Sequence, residues 1–177
     1  MLFRSAYVAN STSNNVTVID TSTNAVVGTP IPVGTNPVAV GVDPTVHRAY
    51  VANSTSNNVT VIDTTTNAVV GTAIPVGNLP VGVGVDPTVH RAYVANTGSA
   101  MTPGHTVTVI DTTTNTAIGT PIAVGVQPFG VGVDPAVHRA YVANKGSSNV
   151  TVIDTTTNTV VTTVGVGSVP VAVGTGP

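Results

Sequence analysis

Residues 48–63, RAYVANSTSNNVTVID, decide the fold of this 177-residue chain. Two segments rich in β-branched and small apolar residues, 48–53 and 59–63, flank a short polar stretch, which is the pattern of an antiparallel hairpin. The pattern recurs four times, in steps of 43, 43 and 48 residues, with its tyrosine at Tyr7, Tyr50, Tyr93 and Tyr141. Residues 7–49 and 50–92 differ at only five of 43 positions. A five-residue insertion within 97–106 explains the longer third step.

Each period contains four predicted strands, which in the second period are 38–42, 48–53, 59–63 and 68–76. Turn residues separate them, and no window has a 3.6-residue apolar period, so we predict an all-β chain without helices. The strands are apolar on both sides, which is typical of a sheet covered on both faces. Four short antiparallel strands per unit, stacked on like units, predict a β-propeller. The alternatives are a β-solenoid, whose coils are usually much shorter, and an open sandwich, which has no reason to repeat.

Three segments carry a resemblance to a known family: Tyr-Val-Ala-Asn, Asn-Val-Thr-Val-Ile-Asp-Thr, and Val-Val-Gly-Thr-x-Ile-x-Val-Gly-x-x-Pro. Together they resemble the YVTN family of β-propeller repeats over nearly the whole chain. The chain departs from that family with Ala for Thr in the first segment, and with Asp-Pro-x-Val-His-Arg in place of a short Asp-Gly turn. The resemblance implies a propeller, often of seven blades, in exported or surface-associated proteins. It brings no family-wide catalytic residue.

The resemblance also implies the strand order, with Pro-Val-Ala-Val as the innermost strand of each blade. We therefore expect a single repeat domain over 1–177 with sixteen strands in four four-stranded antiparallel blades, the first being completed by the C-terminal strand. The predicted blades are 4–33 plus 169–174, 37–76, 80–124 and 128–164. Pairing the last strand with the first blade removes two open sheet edges.

The number of blades in the ring is open at this point. Strand spacing puts neighbouring blade midlines about 18 Å apart in a four-bladed ring and about 10 Å apart in an eight-bladed one, and packed sheets lie about 10 Å apart. With 3% aromatic residues and no Trp, the chain has few side chains able to fill the wider gap. We therefore favour an eight-bladed homodimer formed by strand exchange. A four-bladed monomer, which Gly41, Gly84 and Gly132 on innermost strands would suit, and a fragment of a larger ring are the alternatives.

The composition excludes several functions. Only 7% of the residues are charged and the net charge is −2, so we expect neither nucleic-acid binding nor a polybasic membrane anchor. No apolar run is long enough to insert into a membrane. Without cysteine there is no thiolate metal site or thiol catalyst, and we expect no metal and no cofactor. The N-terminal residues lack the apolar core of a signal peptide, so only the resemblance suggests a location outside the cytoplasm or at the cell surface.

Most titratable residues occupy repeat positions. His47, His90 and His138 each precede an arginine, and equivalent positions on separate blades lie too far apart to share one metal ion. We interpret them as turn residues, with each arginine pairing locally with an aspartate; a weak anion-binding ring is the alternative. The aspartates recur in Val-Ile-Asp-Thr and Val-Asp-Pro, where carboxylates cap turn amides. No nucleophile or phosphate-binding motif is present.

Residues that break the repeat are the better candidates for function. The 97–106 insertion, the variable loop residues and the ends of the tyrosine strands are expected on one face of the propeller. We predict a ligand-binding site there, formed by Asn10, Asn53, Asn96, His105, Gln127, Asn144 and Lys145. For the four asparagines, the alternative is a role as strand-terminal caps.

The predicted function is a non-catalytic scaffold or recognition module that binds a protein or glycan. The alternative is an enzyme of the propeller lactonase or lyase type, with its site in the channel mouth around His105 and the asparagines. Fold analogy alone cannot support that alternative.

Overall fold

A computed structural model describes residues 5–176, which form sixteen β-strands and no helix. The strands are β1 (Ser5–Asn10), β2 (Asn15–Asp20), β3 (Ala25–Pro32), β4 (Pro37–Asp43), β5 (Arg48–Asn53), β6 (Asn58–Asp63), β7 (Ala68–Val69), β8 (Ile74–Pro75), β9 (Pro80–Asp86), β10 (Arg91–Gly98), β11 (Pro103–Asp111), β12 (Thr116–Ala123), β13 (Pro128–Asp134), β14 (Arg139–Asn144), β15 (Asn149–Asp154) and β16 (Thr159–Gly165). In this part of the chain no helix is long and apolar enough to cross a membrane.

The strands form four antiparallel sheets, each built from one repeat. The first is β1-β2-β3, the third β9-β10-β11-β12 and the fourth β13-β14-β15-β16. The second is β4-β5-β6, and its outer strand is divided into β7 and β8, which both pair with β6. The predicted all-β architecture of sixteen strands in four antiparallel sheets is confirmed, although the sixteenth strand comes from the division of one outer strand into β7 and β8 and not from residues 169–174.

The turn between the third and fourth strands of a repeat is capped by an aspartate, as predicted. Asp63 Oδ1 accepts hydrogen bonds from the backbone N–H groups of Thr65 (2.8 Å) and Thr66 (3.1 Å). Asn67 ends the turn with a φ of 54°, a conformation that asparagine tolerates better than most residues. The same capping occurs at Asp20, Asp111 and Asp154.

Three apolar clusters fill the junctions between consecutive sheets, so the inner sheets are covered on both faces. Between the second and third sheets, Tyr50, Val59 and Val61 pack with Val94 and Ile110, and all five are buried. The neighbouring junctions contain the equivalent residues of the other repeats. Burial of these side chains is the main force holding one blade against the next.

Hydrogen bonds also connect neighbouring sheets at these junctions. The Tyr50 hydroxyl donates to Asn115 Oδ1 (2.8 Å) and to the carbonyl of Thr112 (3.1 Å) in the next sheet. The Thr112 hydroxyl in turn donates to the buried carboxylate of Asp43 (2.7 Å). The next junction repeats these contacts with Tyr93, Asn158, Thr155 and Asp86.

The described residues form an open arc rather than a closed four-bladed ring. The first sheet has only three strands, and residues 169–174 pair with none of them. They lie instead beside β13, where a Cβ added to Gly130 would stand 2.6 Å from the carbonyl oxygen of Val171. In this structure residues 169–174 therefore do not complete the first blade of their own chain, and the closed ring, as a four-bladed monomer or as half of an eight-bladed homodimer, stays a prediction. Residue 4 of the predicted first blade lies outside the described residues.

Candidate functional site

The asparagines that end the tyrosine strands serve as caps of the adjoining hairpins. Asn53 Nδ2 donates to Asn58 Oδ1 (2.8 Å) and to Thr60 Oγ1 (2.9 Å). The same arrangement occurs at Asn10, Asn96 and Asn144. Asn53, Asn96 and Asn144 are buried, and only Asn10, in the incomplete first sheet, is partly exposed. The three buried amides are not accessible to a large partner, whereas part of Asn10 is accessible. A ligand-binding role for the four asparagines stays a prediction.

The insertion in the third repeat extends a hairpin away from the sheet. β10 continues to Gly98 and β11 begins at Pro103, leaving a short tip at 99–102. Ser99 N–H donates to the carbonyl of Thr102 (3.0 Å), and Thr102 N–H donates to Ser99 Oγ (3.0 Å). At the tip, the side chain of Met101 is 93% exposed. The hairpin therefore presents one apolar side chain on a hydrogen-bonded frame.

The base of this hairpin contacts the following loops. Gln127 N–H donates to the carbonyl of Gly104 (2.9 Å), and Lys145 N–H donates to the carbonyl of Gln127 (2.9 Å). The Thr97 hydroxyl donates to the carbonyl of Pro128. His105, exposed, follows Gly104 directly. The loops of the third and fourth repeats thus join into one surface, on which the predicted site residues His105, Gln127 and Lys145 lie.

Phe129 belongs to the same surface, although the sequence prediction missed it. Lys145 Nζ lies 5.5 Å from the centre of its ring, within the range of a cation–π contact. Phe129 stands where the other repeats have Val38, Val81 and Val171, and Lys145 stands where they have Ser11, Ser54 and Thr97. That departure from valine was the signal in the sequence. We call the surface formed by Met101, His105, Gln127, Phe129 and Lys145 the mouth patch.

The repeated histidines lie at turns on the opposite face. His90 has a φ of 54°, and its Nδ1 lies 3.4 Å from Thr45 Oγ1 and 4.0 Å from Asp43 Oδ2 of the preceding repeat. His138 makes the equivalent contacts to Thr88 and Asp86. Within residues 5–176, no group of three or more His, Cys, Asp or Glu side chains could hold a metal ion.

Each repeat arginine pairs locally with an aspartate, as predicted. Arg48 Nη1 lies 2.7 Å from Asp63 Oδ2, and Arg91 and Arg139 form equivalent pairs with Asp111 and Asp154. Hydrogen bonding by the Thr65 hydroxyl is the main cause that lowers the pKa of Asp63 to about 2. The Thr156 hydroxyl does the same for Asp154, whose pKa is also about 2. These two carboxylates are therefore ionised turn caps, unlike general acids, whose pKa lies near the working pH.

No protein-family model matches this chain, and no curated protein matches it in sequence. Among solved structures, the chain is similar to hydrazine synthase of Kuenenia stuttgartiensis, with 28% identity and a TM-score of 0.79 over 90% of this chain and 45% of that one. AztD from Citrobacter koseri, in its apo form, is 15% identical with a TM-score of 0.70, over 96% of this chain and 46% of that one. The dihydro-heme d1 dehydrogenase NirN, in complex with DHE, is 16% identical with a TM-score of 0.72, over 92% of this chain and 35% of that one.

These likenesses define the class of protein. The structural neighbours are β-propeller-type proteins, and with the four radial antiparallel sheets they support a propeller fold for this chain. The chain spans less than half the length of each of these proteins. They include two enzymes by name, so the fold is compatible with catalytic and non-catalytic functions alike.

Proposed function

We propose that this propeller is a non-catalytic recognition module, and that it binds a protein or glycan partner at the mouth patch. The observation that carries the proposal is the gathering of repeat-breaking residues on one surface. At the buried junction positions the repeats have the same or similar residues, because each blade packs on the next in the same way. The packing of one blade on the next does not require Phe129, Lys145 or an exposed Met101, so selection for binding is the better explanation.

The chemistry of the patch defines the kind of group it would bind. The Phe129 ring and the Met101 side chain offer apolar contact area, and aromatic residues and Met are enriched in the cores of binding interfaces. Lys145 supplies a positive charge held over the ring, while His105 and Gln127 can donate hydrogen bonds. A partner with a carboxylate or sulfate beside an apolar surface would match this arrangement. Acidic oligosaccharides and acidic peptides both have this chemistry.

Membership of the YVTN repeat family, and with it a place outside the cytoplasm or at the cell surface, is part of the same proposal. It is supported by the propeller fold and by the three quoted sequence segments, the first of which occurs in all four repeats and all three of which occur unchanged in the first two. Cell fractionation with an antibody against the protein checks the location. Recovery in the cytoplasmic fraction would contradict it.

The test compares the wild type with a variant whose mouth patch carries the residues of the second repeat. Binding of both proteins to a panel of uronic-acid oligosaccharides and acidic peptides is measured. Phe129→Val together with Lys145→Ser installs the residues that the second repeat carries at Val38 and Ser54. The fold already accepts those residues, so we expect normal thermal unfolding and a loss of affinity of about tenfold or more.

The matched control is Thr65→Ser, which copies Ser22 of the first repeat at a turn on the opposite face. It should leave binding unchanged. Equal binding of every probe by the wild type and the Phe129/Lys145 double variant would exclude the mouth patch as the site.

A further inference from the structure

We propose that this chain assembles with a second copy of itself, head to tail, so that the fourth blade of each copy packs against the first blade of the other. The two surfaces concerned are the end faces of the arc. The first end face is formed by Ala6, Val8 and Ile19 of the first sheet. The fourth end face is formed by Tyr141, Val164 and Val166 of the fourth repeat. This inference is independent of the proposed mouth patch.

The burial of equivalent residues identifies the first end face. Val8 is 41% exposed, whereas Val51, Val94 and Val142, at the same position of the other repeats, are fully buried against the preceding blade. Ile19 is likewise partly exposed, while its equivalents Ile62, Ile110 and Ile153 are fully buried. The side chains are the same in each case, so the difference comes from the neighbour alone.

The fourth end face shows the complementary pattern. Val164 is 49% exposed, whereas Ile31 and Ile74, at the equivalent position of the first two repeats, are buried against the following blade. Val166 is exposed, while its equivalents Val33 and Val76 are partly buried and pack on the junction clusters. At the internal junctions, it is these two kinds of surface that pack together. The end faces therefore continue an interface that the chain already contains three times.

The tyrosine–asparagine hydrogen bonds between blades predict one specific contact between the two copies. Tyr7, Tyr50 and Tyr93 each donate to the side-chain oxygen of an asparagine in the next blade, at 2.7–2.8 Å. Tyr141 is the fourth member of the series, and the asparagine at the matching turn of the first blade is Asn24. In the fourth blade, Tyr141 and Asp134 line a cavity of about 260 Å³. The equivalent pair, Tyr93 and Asp86, holds the turn of the following blade.

The strand order of the arc fits the same partner. Residues 169–174 lie beside β13, where the innermost strand of a fifth blade would lie, and β1 has no inner neighbour. In a head-to-tail pair each 169–174 segment can therefore add to the β1 edge of the other copy. Two such junctions give eight blades, whose midlines stand about 10 Å apart, the usual spacing of packed sheets. A heterologous contact that closes in this way forms a finite ring.

The experiment is light scattering on the 177-residue chain after size exclusion. We expect a dimer of two 17.6 kDa chains. Val8→Lys and Val164→Lys each place a charge on one end face and should give monomers with unchanged far-UV circular dichroism. Val69→Lys is the matched control, because Val69 is 44% exposed and belongs to the second blade, which has a neighbouring blade on both sides within the chain. It should remain a dimer.

Mixing the two end-face variants tests the head-to-tail arrangement. Val8→Lys has an intact fourth end face and Val164→Lys has an intact first end face, so the mixture should regain a dimer through one unaltered junction. If each end face instead packed against the identical face of the other chain, the mixture would give no such rescue. A folded wild-type monomer, a mass above that of two chains, or failure of the mixture to associate would overturn the proposal.

If either lysine variant fails to fold, the mass of the wild type and the dissociation constant of the Tyr141→Phe dimer still test the proposal. This variant removes one hydroxyl from each of the two junctions of the dimer, and we expect the dimer to dissociate at concentrations about 100-fold higher than the wild type, or more. An unchanged dissociation constant would overturn the Tyr141–Asn24 contact and the junction built on it.

Discussion

Removal of the Tyr93 hydroxyl tests the junction chemistry most directly. Tyr93 is fully buried, and its hydroxyl donates to Asn158 Oδ1 (2.7 Å) and to the carbonyl of Thr155 (3.1 Å) in the next blade. Tyr93→Phe keeps the ring and its packing but leaves both acceptors without this donor. An acceptor left unsatisfied in a buried site costs about 1–3 kcal/mol. We expect a loss of about 2 kcal/mol in the free energy of unfolding, or about 4–8 °C in Tm for a domain of this size.

Tyr141→Phe is the matched control, because it makes the same change in the same motif. The Tyr141 hydroxyl has no hydrogen-bond partner within residues 5–176, and the side chain is partly exposed. Under dilute conditions, where chains are separate, we expect a change below about 0.5 kcal/mol. At concentrations that favour the head-to-tail pair, the loss should approach that of Tyr93→Phe. A Tyr→Phe change thus reports on an internal junction at position 93 and on the proposed junction at position 141.

Urea unfolding followed by circular dichroism measures both variants. The midpoint for Tyr93→Phe should fall while the slope stays constant, since the surface exposed on unfolding is unchanged. Equal losses for the two variants under dilute conditions, or no loss for Tyr93→Phe, would refute the assignment of these hydroxyls to blade junctions.

Three further predictions concern pH and the mouth patch. Thr65→Val removes the main hydrogen bond that lowers the pKa of Asp63, so this pKa should rise from about 2 toward its ordinary value near 4 in an NMR titration. Because that pKa is lower in the folded state, its contribution to stability is present above pH 4 and is lost as the pH falls toward 2, and urea midpoints at these pH values should show the loss. Burial raises the pKa of Tyr50 and Tyr93 above the ordinary value of 10, so the protein should keep its stability up to about pH 10 and lose it at higher pH, which urea midpoints in alkaline buffers would show. Met101→Ser should change stability by less than about 0.5 kcal/mol, since the side chain is 93% exposed, yet weaken binding to the patch severalfold; a large drop in Tm would contradict this.

The sequence predicted the blades because the repeat is nearly perfect and each turn carries its own chemistry. Asp63 and Asn67 identify one turn, and the Arg48–Asp63 pair follows from the hairpin that places them opposite each other. These features depend on residues close together in the chain. They could therefore be read without knowing how the blades pack.

Features that depend on several blades were harder to predict. The outer strand of the second blade is predicted to run unbroken over 68–76, but the structure divides it into β7 and β8. Gly71 does not explain the division, since Gly28 and Gly119 have the same φ of 64° inside the unbroken strands β3 and β12. Asn53 was predicted to bind a ligand because it ends a strand near a loop, and the sequence does not show that Gly34 packs over its amide. Phe129 was missed because a single aromatic residue in a strand is usually part of the core.

Near-identical repeats make exposure interpretable in a way that a single copy cannot. A lone valine on a protein surface is ordinary, because apolar atoms cover more than half of most surfaces. Here the valine at one repeat position is buried in the second, third and fourth repeats and exposed as Val8 in the first, so its exposure shows that no blade covers it. The chain has few charges with which to keep such faces apart, since only 7% of its residues are charged. Two complementary apolar faces with little charge between them favour association, and the three internal junctions specify its geometry.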